Sequence, residues 1–210
     1  MNTARVRHLI GILGVMIGVG GTLLIPLYFM YSGAPPLWNV LTRNLINLIV
    51  CAFLIIFFAG FSHLIRQADS AYEWVASLVY GAGLIYVAVI LVAISLEVGA
   101  VLGAPNGKID PTINGPLAEG SILIHGSITR ILTAVIMGAT GYAVLRTRML
   151  PGWAGQTAYG IALFNLAFVP SIYFGKDPAQ FYSAVGWGNT AFAAIFILYW
   201  ILAVSIRMLR

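Results

Sequence analysis

Long apolar runs, interrupted at intervals by short polar stretches, set the pattern of this chain. Six of the runs are long enough to cross an apolar layer of about 30 Å, which takes ~20 helical residues. They fall near residues 9–30, 43–65, 74–100, 118–145, 153–173 and 183–207. Helices are expected because hydrocarbon offers no partner to free backbone groups. The runs also exceed the length of barrel strands and do not alternate polar with apolar. The predicted fold is all-α: a polytopic integral membrane protein, a single six-span bundle over residues 1–210.

The interruptions are short. Gly33, Pro35 and Pro36 stop the first helix, and residues 67–73 form a polar turn. Residues 99–116, GAVLGAPNGKIDPTINGP, make the longest connection, with turn dipeptides at Asn106-Gly107, Asp110-Pro111 and Asn114-Gly115. This connection could cap the bundle or dock a partner. Tight turns are expected at 148–152 and 175–178. Trp38, Trp74, Trp153, Tyr173, Tyr182 and Trp187 sit at span ends, as interface anchors do. Within the first span, Gly11, Gly14, Gly18, Gly20 and Gly21 permit close helix approach, Gly14 and Gly18 as a small-xxx-small pair. Such packing serves contacts within the bundle or between copies. Pro26 and Pro170 are expected to kink or end their helices.

Charge orients the bundle. Arg5, Arg7, Arg66, Arg146, Arg148, Arg207 and Arg210, drawn from eleven basic residues, collect at span ends on one side. By the positive-inside rule both termini are cytoplasmic. The N-terminal stretch has the basic start of a signal peptide, but its apolar run continues to Met30 with no clear cleavage site, so it is expected to remain as the first helix. The chain is 60% hydrophobic and 8% charged, whereas a soluble domain is about 25% charged. A water-facing surface is thus excluded. The net charge of +5 serves topology and membrane lipid headgroups; no nucleic-acid partner is expected. The single cysteine, Cys51, lies in an apolar run and reads as a small hydrophobe.

Candidate chemistry comes from the polar residues inside the spans. Ionisable groups at membrane depth are costly and mark a functional site by default. The fourth span carries Glu119, Ser121, His125, Thr129 and Arg130. At 1.5 Å per residue, Arg130 lies roughly 24 Å above the cytoplasmic end, with His125 about 7.5 Å higher. Arg43, Asn44 and Asn47 occupy the outer part of the second span, Glu97 that of the third, Asn189 that of the sixth, and Asn165 lies near the middle of the fifth. The cytoplasmic half is nearly pure hydrocarbon apart from His8 and His63 at its edge. Arg43, Asn47, Glu97, His125, Arg130, Asn165 and Asn189 are therefore predicted to converge on a polar pocket open to the extracytoplasmic side. Glu97 is the natural counter-ion of Arg130 or Arg43. On a regular helix Arg130 is rotated about 140° from His125, so one face cannot present both to a small ligand. The alternative is a set of hydrogen bonds that only fixes helix register. Residues 41–45, LTRNL, echo 128–132, ITRIL, which raises a repeated helical hairpin.

Other constellations fall short. Glu97, Glu119 and His125 would ligate a metal only if their helices aligned, and no HExxH is present. His8 and His63 on neighbouring helices make a bis-His haem geometrically conceivable. No metal site or cofactor is predicted. No nucleophile stands with a base, no phosphate loop or GxSxG occurs, and no charged ring or filter loop suggests a channel. No catalytic residue is predicted.

The second half carries a resemblance. Leu145 and Arg146 end one helix, Arg148 follows, and Leu150, Pro151 and Trp153 open the next; the last span ends ILYWILAVSIRMLR. This resembles small six-span bacterial membrane proteins of unknown function, over residues 117–210. The resemblance implies six helices in a bacterial cytoplasmic membrane and no particular activity. The sequence favours a structural or accessory subunit of a membrane assembly, because no soluble domain and no catalytic motif is present. Its partners would be membrane lipids and other membrane subunits or further copies of itself. The alternative is a binder or carrier of a small molecule or lipid, using the polar pocket. A third reading, an intramembrane enzyme using Glu97 and His125, ranks below both.

Overall fold

The computed structural model describes residues 3–31, 33–104, 109–111 and 117–210. Helix dominates, and no strand occurs among the described residues. Helix α1 runs Thr3–Phe29, α2 Leu37–Ala68 and α3 Glu73–Leu102. Helix α4, Ala118–Leu123, passes through a wide π turn, Ile124–Ile128, into α5, Thr129–Thr147. Helix α6, Gly152–Phe168, tightens into a 3-10 turn, Val169–Tyr173, and α7, Ala193–Leu209, follows a π turn, Gly188–Phe192. Five continuous stretches are long and apolar enough to cross a membrane: Thr3–Phe29, Leu37–Ala68, Ser70–Leu102, Ala118–Thr147 and Gly188–Leu209. Helix α6 has 17 residues before its 3-10 turn. The last helix begins at Gly188, later than the hydropathy pattern predicts. Half of the 99–116 connection, residues 105–108 and 112–116, lies outside the described residues.

The helices form a closed ring in chain order. Helix α1 packs on α2 and α7, α2 on α3, α3 on α5, α5 on α6, and α6 on α7. Each neighbour is antiparallel, as the contacts require. Along α1, positions 11, 14, 18 and 21 meet Leu209, Ser205, Leu202 and Leu198 in turn on α7. The glycines of α1 therefore pack within the bundle. The reason is steric: a Cβ on Gly14 would stand 1.8 Å from Ser205 Oγ, so only a bare Cα lets the two backbones come this close. Gly141 and Gly155 do the same for α5 and α6, where a Cβ on Gly141 would lie 3.0 Å from Gly155 O.

One end of the ring holds both chain ends and the turns at 69–72 and 148–151. The other, the far end, holds residues 30–31 and 33–36, the end of α3, the start of α4 and residues 174–187. Aromatic and aliphatic side chains fill the interior nearer the chain ends. Phe57 stacks on Phe61 at 5.7 Å, and Phe61 meets Trp200 edge-on at 6.1 Å. Trp200 Nε1 donates to Ala154 O at 2.9 Å, which ties α7 to α6. A cavity of about 10 Å³ remains beside Phe61, Met137 and Thr140, room for about one water. The outer surface is apolar: Leu23, Leu45, Ile85 and Leu163 are all more than half exposed. Such a surface suits lipid and would be costly in water.

The connection 174–187 folds back on the ring. Backbone bonds run from Ala184 N to Gly175 O at 2.9 Å and from Trp187 N to Pro178 O at 3.3 Å. Tyr182 OH donates to Ala167 O, and Lys176 pairs with Glu119 at the start of α4. Phe181 packs against Phe168, Trp187 and Phe192. Ser183, Ala184 and Val185 are buried. Residues 183–187, read from hydropathy as the start of a span, thus belong to a folded cap.

Candidate functional site

The buried charged and asparagine side chains of the spans gather in the far half of the ring in two adjoining networks. The first joins α1, α2 and α3. Glu97 is 2% exposed and accepts from Arg43 Nη2 at 3.4 Å and from Asn44 Nδ2 at 3.0 Å. Arg43 also lies over the Tyr28 ring, 4.5 Å from its centroid. Asn47, one helical turn below Arg43, donates to Tyr28 OH at 3.2 Å. Asn39, a turn above, donates to Leu27 O at 3.0 Å. Regular helices carry all of these groups, so the i, i+4 spacing read from the sequence holds here. Arg43, not Arg130, is the partner of Glu97.

The second network is built on broken helices. At Gly126 the backbone takes φ −90°, ψ −116°, outside the helical region. The carbonyls at the break accept from Thr129, whose N–H bonds Gly126 O and whose Oγ1 lies 2.7 Å from His125 O, and Arg130 adds to both. Its Nε donates to Gly126 O at 3.2 Å and its Nη2 to His125 O at 2.9 Å. The same Nη2 reaches Thr129 Oγ1 at 2.9 Å, and Nη1 donates to Asn165 Oδ1 at 3.2 Å. Arg130 is 1% exposed. Its partners are all neutral. Across the wide turn Arg130 reaches the His125 backbone carbonyl. The settings of Arg43 and Arg130 accordingly differ, one on a continuous helix with a carboxylate, the other at a break with carbonyls.

Two further interruptions meet the first. Pro170 opens the 3-10 turn that ends α6, and the π turn of residues 188–192 opens α7. They bring Ser171 and Asn189 against Ser127. Asn189 Nδ2 lies 2.7 Å from Ser171 Oγ, 3.1 Å from Ser127 Oγ and 2.9 Å from Ala184 O. Ser127 and Ser171 hydroxyls are 3.1 Å apart. The cap rests here: a Cβ on Gly126 would stand 2.9 Å from Ala184 O. Ser127 and Ser171 are members that the sequence reading missed. Serine is common in apolar helices, and its only signals were the neighbouring Gly126 and Pro170.

His125 lies between the networks. Its Nδ1 bonds Ser121 O at 3.2 Å, and Ser121 Oγ reaches Ala93 O on α3, one turn before Glu97. Because a carbonyl only accepts, this bond places the proton on Nδ1. The ring is within electrostatic reach of Glu97, Arg130 and Arg43. It is half-buried, whereas Ser121, Glu97 and Arg130 are buried. Glu119 is drawn away to Lys176 at the exposed far end. Among the described residues, no three of His, Cys, Asp and Glu gather as a metal site would need.

All seven residues read from the sequence thus take part: Arg43, Asn47 and Glu97 in the first network, Arg130, Asn165 and Asn189 in the second, His125 between. Several polar atoms there have no hydrogen-bond partner, among them Arg43 Nε, Asn44 Oδ1 and Asn189 Oδ1. Unmet buried polar atoms are uncommon in folded proteins. No family model, curated protein or solved structure matches the chain.

Proposed function

We propose that this chain binds or carries a small molecule or lipid at the polar centre, as a six-span protein of the bacterial cytoplasmic membrane with both termini inside. On that topology the far half is the extracytoplasmic half. The distribution of arginines supports the orientation, and the likeness of residues 117–210 to small six-span bacterial proteins supports the compartment.

One observation carries the functional reading: three interruptions of helical backbone converge on one buried polar region, where the Ser127–Ser171–Asn189 cluster adjoins the Arg130 cluster at Gly126. Irregular backbone at membrane depth is tolerated where it lies inside protein or lines a site, and broken helices with freed backbone groups mark binding centres in transporters. A network needed only for register is better served by the Arg43–Glu97 arrangement, which rests on unbroken helices. An enzyme reading draws less support, since Glu97 is already engaged by Arg43 and Asn44.

A second reading, an accessory subunit or homo-oligomer, is favoured by the outward stripe of α3. Trp74, Leu78, Gly81, Ile85, Ala88, Val92, Ser95 and Gly99 recur at alternating steps of four and three, the period of a helix–helix seam. Gly81 and Gly99 have nothing against them within 4 Å.

Gentle extraction of the full chain followed by native mass spectrometry separates the two readings. The binder reading expects a small mass retained by the wild type and lost from Arg130→Gln. Other subunits in fixed ratio, with no small mass, would transfer the proposal to the α3 stripe.

A further inference from the structure

The polar centre carries a charge imbalance. Arg43 and Arg130 are cationic, and Glu97 supplies one carboxylate. That carboxylate is committed to Arg43 and Asn44. Arg130 is held by two backbone carbonyls, an amide oxygen and a hydroxyl, and it forms no ion pair with any described carboxylate. Dipoles of this kind satisfy its protons without cancelling its charge. One net positive charge therefore stays buried among helices, an arrangement that is expensive unless something offsets it. A second feature points the same way: Arg43 Nε is buried with no acceptor.

His125 O and Gly126 O belong to the break itself, where Thr129 N–H bonds Gly126 O and Thr129 Oγ1 lies 2.7 Å from His125 O and 3.0 Å from Gly126 O, so both carbonyls keep a partner when Arg130 turns to a ligand. A planar guanidinium presents paired N–H groups that match the two oxygens of a carboxylate or phosphodiester. Half-buried His125 marks the side on which the enclosure is thinnest, beside exposed Ile128 and Ile131 on the apolar outer surface.

We propose that Arg130 is the receptor for a singly charged oxyanion, a carboxylate or phosphodiester, presented by a membrane amphiphile or by a small free acid. The assignment rests on the binder reading above and names the chemical class of its ligand. One negative charge brings the centre to neutrality; a dianion would overshoot.

The test uses the full chain in nanodiscs of neutral phosphatidylcholine. Binding of oleate, phosphatidylglycerol, acetate and uncharged oleyl alcohol is measured by native mass spectrometry and by the shift in thermal midpoint. One oleate or phosphatidylglycerol per chain, with oleyl alcohol at least about tenfold weaker, is the expected result. Acetate that competes at concentrations similar to oleate would identify a free acid as the ligand, and acetate that does not compete an amphiphile. Arg130→Gln keeps hydrogen-bond donors but loses the charge, and should weaken oleate at least about tenfold. Glu97→Gln keeps an acceptor for Asn44 and raises the net charge of the centre by one, so it should bind oleate severalfold more tightly. It decides the matter if Arg130→Gln does not fold. Oleyl alcohol binding as well as oleate, or no gain in Glu97→Gln, would overturn the oxyanion while leaving a binder. Failure of all four probes would overturn the oxyanion as well; whether the binder reading survives then depends on a small mass co-purifying with the native protein.

Discussion

A guanidinium inside an apolar bundle is held by whatever accepts its protons, and the two in this chain are held differently. Arg43 shares Glu97 with Asn44 and rests on the Tyr28 ring. Removing the carboxylate alone leaves a buried cation unpaired. Glu97→Ala should therefore cost about 3–5 kcal/mol. The double replacement Arg43→Met, Glu97→Leu removes both charges and should lie closer to the wild type than Glu97→Ala does. Thermal unfolding of the three proteins in one detergent checks this; a double variant less stable than Glu97→Ala would mean that the pair holds the helices by more than charge. The sequence made these residues conspicuous because ionisable groups stand out in apolar runs. It left open which arginine Glu97 meets, since pairing depends on helix neighbours and on the phase shift at Gly126. That shift is a backbone event with no counterpart in hydropathy, and it is why Ser127 and Ser171 passed unnoticed.

Elements in this ring are fitted to one another by size. The glycine side of α1 accepts α7 at backbone distance, whereas Gly81 on α3 faces outward with free space around it. The same Gly→Ala change should thus act in opposite directions. At Gly14 the new methyl meets Ser205 and forces the helices apart, a cost of about 1–3 kcal/mol for overpacking. At Gly81 the gain in helix propensity, about 1 kcal/mol, is unopposed. Thermal midpoints of Gly14→Ala and Gly81→Ala in the same detergent give the comparison, and a loss at Gly81 equal to that at Gly14 would reveal a partner on the α3 stripe. Five apolar stretches were legible because their length exceeds what any other fold uses. The start of the last helix was not, since Ala184, Val185 and Trp187 lie in the predicted span 183–207 while folding into a cap. Hydropathy reports transfer from water and does not distinguish lipid from an aromatic cluster as the destination.

At the scale of the whole molecule, a closed antiparallel ring of six helices has two ends, and the chemistry is confined to one half. The aromatic core beside Phe61 and Trp200 seals the half that holds the chain ends. A ligand of the proposed kind would then arrive from the far half, or laterally from lipid near His125. Orientation consequently decides whether the centre serves the cytoplasm or the exterior. The positive-inside rule, applied to the arginines, expects the sealed half inside. Cysteine labelling tests this directly, because the one native thiol, Cys51, is buried and is removed as Cys51→Ala. Ser70→Cys lies in the exposed turn between α2 and α3, and Lys176→Cys lies on the exposed cap. In intact spheroplasts a membrane-impermeant maleimide should label Lys176→Cys and spare Ser70→Cys; after disruption both should react. The opposite pattern would turn the polar centre toward the cytoplasm and make any oxyanion it binds a cytoplasmic one. Labelling of both sites in intact cells would mean that the ring does not cross the bilayer between them, and the buried charge would then need a different account altogether.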